Sequence, residues 1–228
     1  IDGHVTDNNG VTLRSSVDGR VISTGSLDVS VKDGLLRTEE ARVRDLTVGS
    51  AGAPSDEAGI VQFLLENTPN ADPIINATGA VDFLANSTAS FSSLGFLGAD
   101  GIYTLLRATG GIDLHGRVVD ELVTFDTPFL FNSSLDLESD AGIDTLSLVL
   151  QRKTAAELSL TGNSAAVYNA ALMAAGNDDL FGRGLLAITD EVGVEQSLNS
   201  LIPNIGAGAR ALSIAVTDSI GGPVGRRQ

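Results

Sequence analysis

The 228-residue sequence has no cysteine, no tryptophan, one methionine, two tyrosines and two histidines. Without cysteine there is no disulfide framework and no thiolate zinc site. Aromatic residues make up 4% of the chain, too few for a groove that stacks sugars or bases. Lysine occurs only at positions 32 and 153, and 14 Lys and Arg stand against 29 Asp and Glu. The resulting net charge of −15 repels phosphate backbones and anionic headgroups, which excludes nucleic-acid binding. No apolar run reaches the eighteen residues that a transmembrane helix needs. Ile1 opens neither a charged n-region nor an apolar h-region, so an exported protein with this sequence would be an internal or processed piece.

What is present favours short strands and tight turns: 26 glycines, many Asn, Asp and Ser, and 43% hydrophobic residues. Up to Gly49, the runs Val11–Leu13, Val21–Ser23, Leu27–Val31 and Ala41–Val48 alternate in part. Asn8-Asn9-Gly10, Asp18-Gly19 and Asp33-Gly34 punctuate them. Turns about ten residues apart suit a β-solenoid and an all-β sandwich equally, and no strict repeat marks the chain. Residues 50–74 read as a loop excursion, interrupted at 60–65 by a buried strand or one short helix and bracketed by Pro69 and Pro73. Strands resume over Ala80–Phe83 and Ala89–Leu94.

The chain is organised around residues 101–153. Tyr103, Leu105 and Leu106 form an apolar run, and Gly110-Gly111 supplies a turn where positive φ costs little. Leu146, Leu148 and Leu150 alternate with more polar neighbours, so one face is strongly apolar. Beyond Lys153 the period becomes helical. Asn163 is a candidate N-cap for a helix over 164–175 with Val167 and Ala171 on one face and Gly176 as its stop. Val194, Leu198, Leu201 and Ile202 form a second stripe that Pro203 ends, and Ile205, Ala209, Leu212, Val216 and Ile220 a third.

The motifs Gly101-Ile-Tyr-Thr-Leu-Leu-Arg-Ala-Thr-Gly-Gly-Ile112, Pro128-Phe129-Leu130 and Leu146-x-Leu148-x-Leu150-x-Arg152 resemble the C-terminal passenger segment of bacterial autotransporters. Asn163–Leu172, Leu198–Leu201 and Gly206–Ser219 resemble the helical linker of the same family. The resemblance implies a mainly β fold: a right-handed parallel β-solenoid (β-helix-like) stem over 1–100, a folding cap over 101–153, and an α-helical linker over 154–228. It implies the outer-membrane barrel as partner, beginning within a few tens of residues of such a linker and not contained in this chain. Localisation would be the bacterial cell surface or the extracellular space, and the lack of cysteine suits passage across a periplasm unfolded. Templating of the fold is expected from Tyr103, Leu105, Leu106, Gly110, Gly111, Phe129, Leu146, Leu148 and Leu150. Val167, Leu198, Leu201 and Leu212 would carry the linker helices. Two other roles stay open: a processed subunit whose strand edges pair into a homo-oligomer, filament or surface layer, and the stem of a passenger enzyme whose catalytic part lies upstream.

No catalytic residue, cofactor or metal site is assigned. His4 and His115 are the only histidines, and Asp113-Leu114-His115-Gly116 reads as an exposed turn. No Asp or Glu spacing selects a glycosidase pair. Gly176–Gly182 resembles a single calcium-binding turn, but that chemistry needs stacked copies, and a helix stop followed by an N-cap explains it better. Gly206–Ala211 echoes a dinucleotide fingerprint without the preceding strand that would confirm it. Sequons at Asn76, Asn86 and Asn132 and the Arg226-Arg227 pair carry no assignment.

Overall fold

The structure is a computed structural model. It describes residues 27–32, 34–51, 58–97, 100–122 and 128–201, together with the backbone of 11–13, 17–18 and 21–22. His4, the turns at 8–10, 18–19 and 33–34, the stripe over 205–220 with Leu212, and Arg226-Arg227 lie wholly or partly outside the described residues.

The protein is mainly β with parallel sheets. Its strands in chain order are β1 (Val11–Leu13), β2 (Val17–Asp18), β3 (Val21–Ile22), β4 (Val29–Val31), β5 (Gly34–Thr38), β6 (Ala41–Val43), β7 (Leu46–Val48), β8 (Gly59–Leu65), β9 (Ile75–Ala77), β10 (Val81–Phe83), β11 (Ser87–Ser93), β12 (Gly101–Ala108), β13 (Ile112–Asp113), β14 (Phe131–Asp140) and β15 (Ile143–Arg152). Each of three sheets takes every third strand: β1-β4-β7-β10-β13, then β2-β5-β8-β11, then β3-β6-β9-β12, which β15 and β14 extend. Pairing is parallel throughout until β15 joins β12 antiparallel and β14 joins β15. An antiparallel sandwich would pair chain neighbours; this chain pairs strands three apart in chain order.

Short alternating runs build this because residues in register stack like on like inside. Val29, Leu46 and Val81 align across the first sheet, and Leu36, Val61 and Ala89 across the second. Ala41, Ile75 and Leu106 align across the third. All nine side chains are buried, so each strand turns one face to a common core and the other to water. The run at 60–65, open between strand and helix in the sequence, is β8, a regular member of the second sheet. The expected excursion over 50–74 is therefore interrupted by an in-register strand, and residues 52–57 lie outside the described residues.

Helices α1 (Val119–Leu122), α2 (Gly162–Ala175), α3 (Asp179–Leu186) and α4 (Glu191–Leu201) complete the described fold. α2 begins at Gly162 after Thr161, so Asn163 lies in its first turn and is not the N-cap. Its buried residues are Ser164, Tyr168, Ala171, Leu172 and Ala175, with Val167 half-buried beside them. Gly176 stops the helix with ordinary right-handed geometry (φ −68°), not as a left-handed C′ glycine. Asp178 caps α3 by accepting a bond from the Phe181 amide at 3.1 Å. In α4, Val194 and Leu198 are buried, whereas Leu201 is 45% exposed and leaves the expected stripe. The helices share the hydrophobic core of the strands. Gly182 sits so close to Phe96 that an added Cβ would lie 2.5 Å from the Phe96 Cβ, and the Arg183 guanidinium donates to the Leu94 carbonyl at 3.2 Å.

Candidate functional site

The expected cap residues converge where the parallel pairing ends. β12 continues the third sheet on one edge and receives β15 on the other, in the register Gly101↔Leu150, Tyr103↔Leu148 and Leu106↔Leu146. A bulge between Thr104 and Leu106 makes Leu105 the extra residue. It resets the inward phase, which is why Tyr103, Leu105, Leu106 and Ala108 are all buried on a strand that would otherwise alternate. Opposite them Leu146, Leu148 and Leu150 are at most 1% exposed. β14 adds Leu135 across from Leu148 and Leu137 across from Leu146, both half-buried. Phe129 is half-buried at the mouth of the hairpin, with the Lys153 ammonium 4.2 Å from its ring centroid.

The two glycines of this segment serve different ends. Gly111 has φ +93°, the left-handed conformation expected of it. Gly110 does not; it is glycine because a Cβ there would lie 2.7 Å from the Gly79 carbonyl carbon and 2.8 Å from the Ala80 nitrogen. The turn after β12 rests directly on the turn between β9 and β10. The Gly110 amide donates to the Gly79 carbonyl at 2.8 Å and the Gly79 amide to the Arg44 carbonyl at 2.7 Å.

Side chains then seal the end. Arg117 donates to the Phe83 and Leu84 carbonyls from Nη2 at 2.6 and 2.8 Å, and to the Ser87 carbonyl from Nη1 at 3.1 Å. Nη2 also meets the Ser87 hydroxyl, and Nε donates to the Leu114 carbonyl at 3.3 Å. Leu122 of α1 is buried beside β11 and β14. The Asp144 carboxylate accepts from the Ile112 amide at 2.7 Å, tying the hairpin to β13. Asp100 accepts from the backbone and side chain of Arg152 at 2.7 and 3.1 Å.

The junction with the helices is a reciprocal cap. The Thr154 amide and hydroxyl donate to Glu157 at 2.7 and 2.8 Å, and the Glu157 amide returns a bond to the Thr154 hydroxyl at 3.2 Å. The bonds from Thr154, first through its amide, hold the Glu157 carboxyl below the usual range. The Tyr168 hydroxyl donates to the Lys153 carbonyl at 2.8 Å, and burial raises its pKa. The Tyr103 hydroxyl is buried with no partner among the described residues, and burial pushes it up to about 12.

Away from β12, β14 and β15, two groups gather that sequence spacing does not bring together. Glu39, Glu40, Glu66 and Asp72 line a solvent-open cleft of about 490 Å³, where Arg42 pairs with Glu40 at 3.0 Å. His115 is exposed, as expected, and adopts φ +53°. Its Nε2 lies 3.7 Å from Asp82 Oδ1 and its Nδ1 3.8 Å from Asp113 Oδ2. Asp179, within the stretch that resembles a calcium turn, pairs with Arg183 at 2.9 Å.

Among the described residues, no helix is long and apolar enough to cross a membrane. Compared with protein-family profiles, curated proteins and solved structures, the chain matches none.

Proposed function

We propose that the chain is the C-terminal part of an autotransporter passenger: a right-handed parallel β-solenoid stem, a folding cap over 101–153 and a helical linker. Its role is structural or adhesive display at the bacterial cell surface, with no catalysis of its own. The observation that carries this reading is the change of pairing at β12, where strands one circuit apart give way to an antiparallel hairpin rich in buried leucine. Three sheets that each take every third strand are the pairing that successive solenoid coils produce. In such a stack each coil contacts only its neighbours, so a terminal coil of high local stability is the natural nucleus. The β14–β15 hairpin is local in sequence and forms without waiting for a distant strand, and β12 then docks on β15 from upstream. Coils then add one at a time outward, and folded coils cannot slip back through a narrow pore, so export needs no ATP.

The alternative of a self-assembling subunit is less well supported. β14, the open edge beyond the hairpin, points Asp136, Glu138 and Asp140 outward, a row of like charge that resists strand addition.

The test is Leu148→Asp in cells producing the whole protein, read by surface labelling, beside Leu36→Asp as a control. Leu36 and Leu148 are equally buried, but only Leu148 belongs to the cap. Leu148→Asp is expected to abolish display with barrel insertion intact, whereas Leu36→Asp leaves residues beyond 100 displayed. Normal display of Leu148→Asp would refute templating.

A further inference from the structure

We propose that Asp82, Asp113 and His115 bind one divalent transition-metal ion, with zinc the best fit. Each offers one ligand atom, and the three atoms lie within 4.8 Å of one another. Zinc holds His nitrogen and carboxylate oxygen at about 2.0–2.2 Å, so donors around one ion stand about 3–4 Å apart. The shortest approaches, 3.7 Å from Nε2 to Asp82 Oδ1 and 3.8 Å from Nδ1 to Asp113 Oδ2, use opposite ring nitrogens, so the imidazole must turn to present one nitrogen to both carboxylates. The side chains are 42–61% exposed and have room to close the remaining gap.

The topology makes the juxtaposition specific. Asp82 on β10 and Asp113 on β13 are register partners on neighbouring strands, with their side chains on the solvent face. Like charges facing each other across a ladder are destabilising, and a divalent cation turns that repulsion into attraction. The His115 amide donates to Asp113 Oδ1 at 2.7 Å, which orients the carboxylate and leaves Oδ2 facing the imidazole. An imidazole beside two carboxylates favours zinc, manganese or nickel over calcium and magnesium, which prefer all-oxygen sites. Three protein donors leave a fourth tetrahedral position for water. β13 is the last strand of its sheet, so the ion would staple that end strand to β10.

Isothermal titration of the full chain with zinc chloride, and separately with calcium chloride, tests the proposal. The background is low, because the chain has no cysteine and His4 is its only other histidine. His115→Asn keeps a residue that tolerates the left-handed conformation, Asp113→Asn removes one charge, and His4→Ala is the control; circular dichroism checks that each variant folds. The expected result is one saturable zinc per chain, binding at least about tenfold weaker in His115→Asn and Asp113→Asn, unchanged in His4→Ala, and tighter than calcium. Absence of saturable zinc binding, equal affinity in His115→Asn, or tighter binding of calcium would overturn it.

Discussion

Tyr103 is buried in the middle of the β12–β15 pairing at a cost. It is buried opposite its register partner Leu148, while its hydroxyl lies buried without a hydrogen bond among the described residues. An orphaned buried hydroxyl costs about 1–3 kcal/mol, and a phenylalanine of the same shape removes that cost. Tyr103→Phe should therefore raise the melting temperature or leave it unchanged. The effect grows with alkalinity. Burial raises the folded pKa to about 12 from the ordinary 10, so the unfolded chain gives up its proton first. This contribution is intact below pH 10 and is lost as pH rises through 12, up to about 2–3 kcal/mol. Denaturation curves between pH 9 and 12 should fall less steeply for Tyr103→Phe than for the natural chain; parallel curves would show that the phenol does not titrate with unfolding. The importance of Tyr103, Leu105 and Leu106 is legible in the sequence as an apolar run. The bulge that buries both leucines is not, since it appears only when β15 sets the register. Gly110 is similar: its presence is legible, but its reason is a backbone one circuit away.

Elements are joined at corners, and Arg117 is the joint that sequence reading misses. An arginine between a Gly and two valines reads as a surface charge; here its guanidinium reaches three carbonyls of the 83–87 turn and the Leu114 carbonyl. Arg117→Met keeps the aliphatic stem and removes the donors. It is expected to lower stability by about 2–4 kcal/mol by urea denaturation and to speed hydrogen exchange in Ser87–Ser93. A loss below about 0.5 kcal/mol would make Arg117 an ordinary surface group. One signal of the layered architecture is present in the sequence. Ala77-Thr78-Gly79-Ala80-Val81 and Ala108-Thr109-Gly110-Gly111-Ile112 are successive corners, aligned by Ala77↔Ala108 and Val81↔Ile112. A two-copy repeat of five residues is too short to stand out before the pairing is known. The helices are legible by period, but their ends are not. Asn163 resembles a cap, yet α2 begins one residue earlier, after Thr161, with no side-chain cap bond.

At the scale of the whole molecule, the arrangement is directional. Toward the N-terminus the strands are short and stacked in parallel, with each side chain waiting for a neighbour from another circuit. Toward the C-terminus the two ten-residue strands of the β14–β15 hairpin close on each other, and the chain past Lys153 turns helical in α2, α3 and α4. A mainly β class and a change to helix near Lys153 are readable from strand and helix periods. The parallel, every-third-strand pairing cannot be read from turn spacing, because an antiparallel sandwich spaces its turns alike. The central claim, that folding starts at the cap and spreads toward the N-terminus, is most directly tested by pulse-labelling hydrogen exchange during refolding of the full chain. Amides of Gly101–Ala108 and Ile143–Arg152 are expected to gain protection first, those of Gly59–Leu65 and Val81–Phe83 next, and those of Val29–Val48 last. Protection of Val29–Val48 before the hairpin, or of all strands in one phase, would contradict the account.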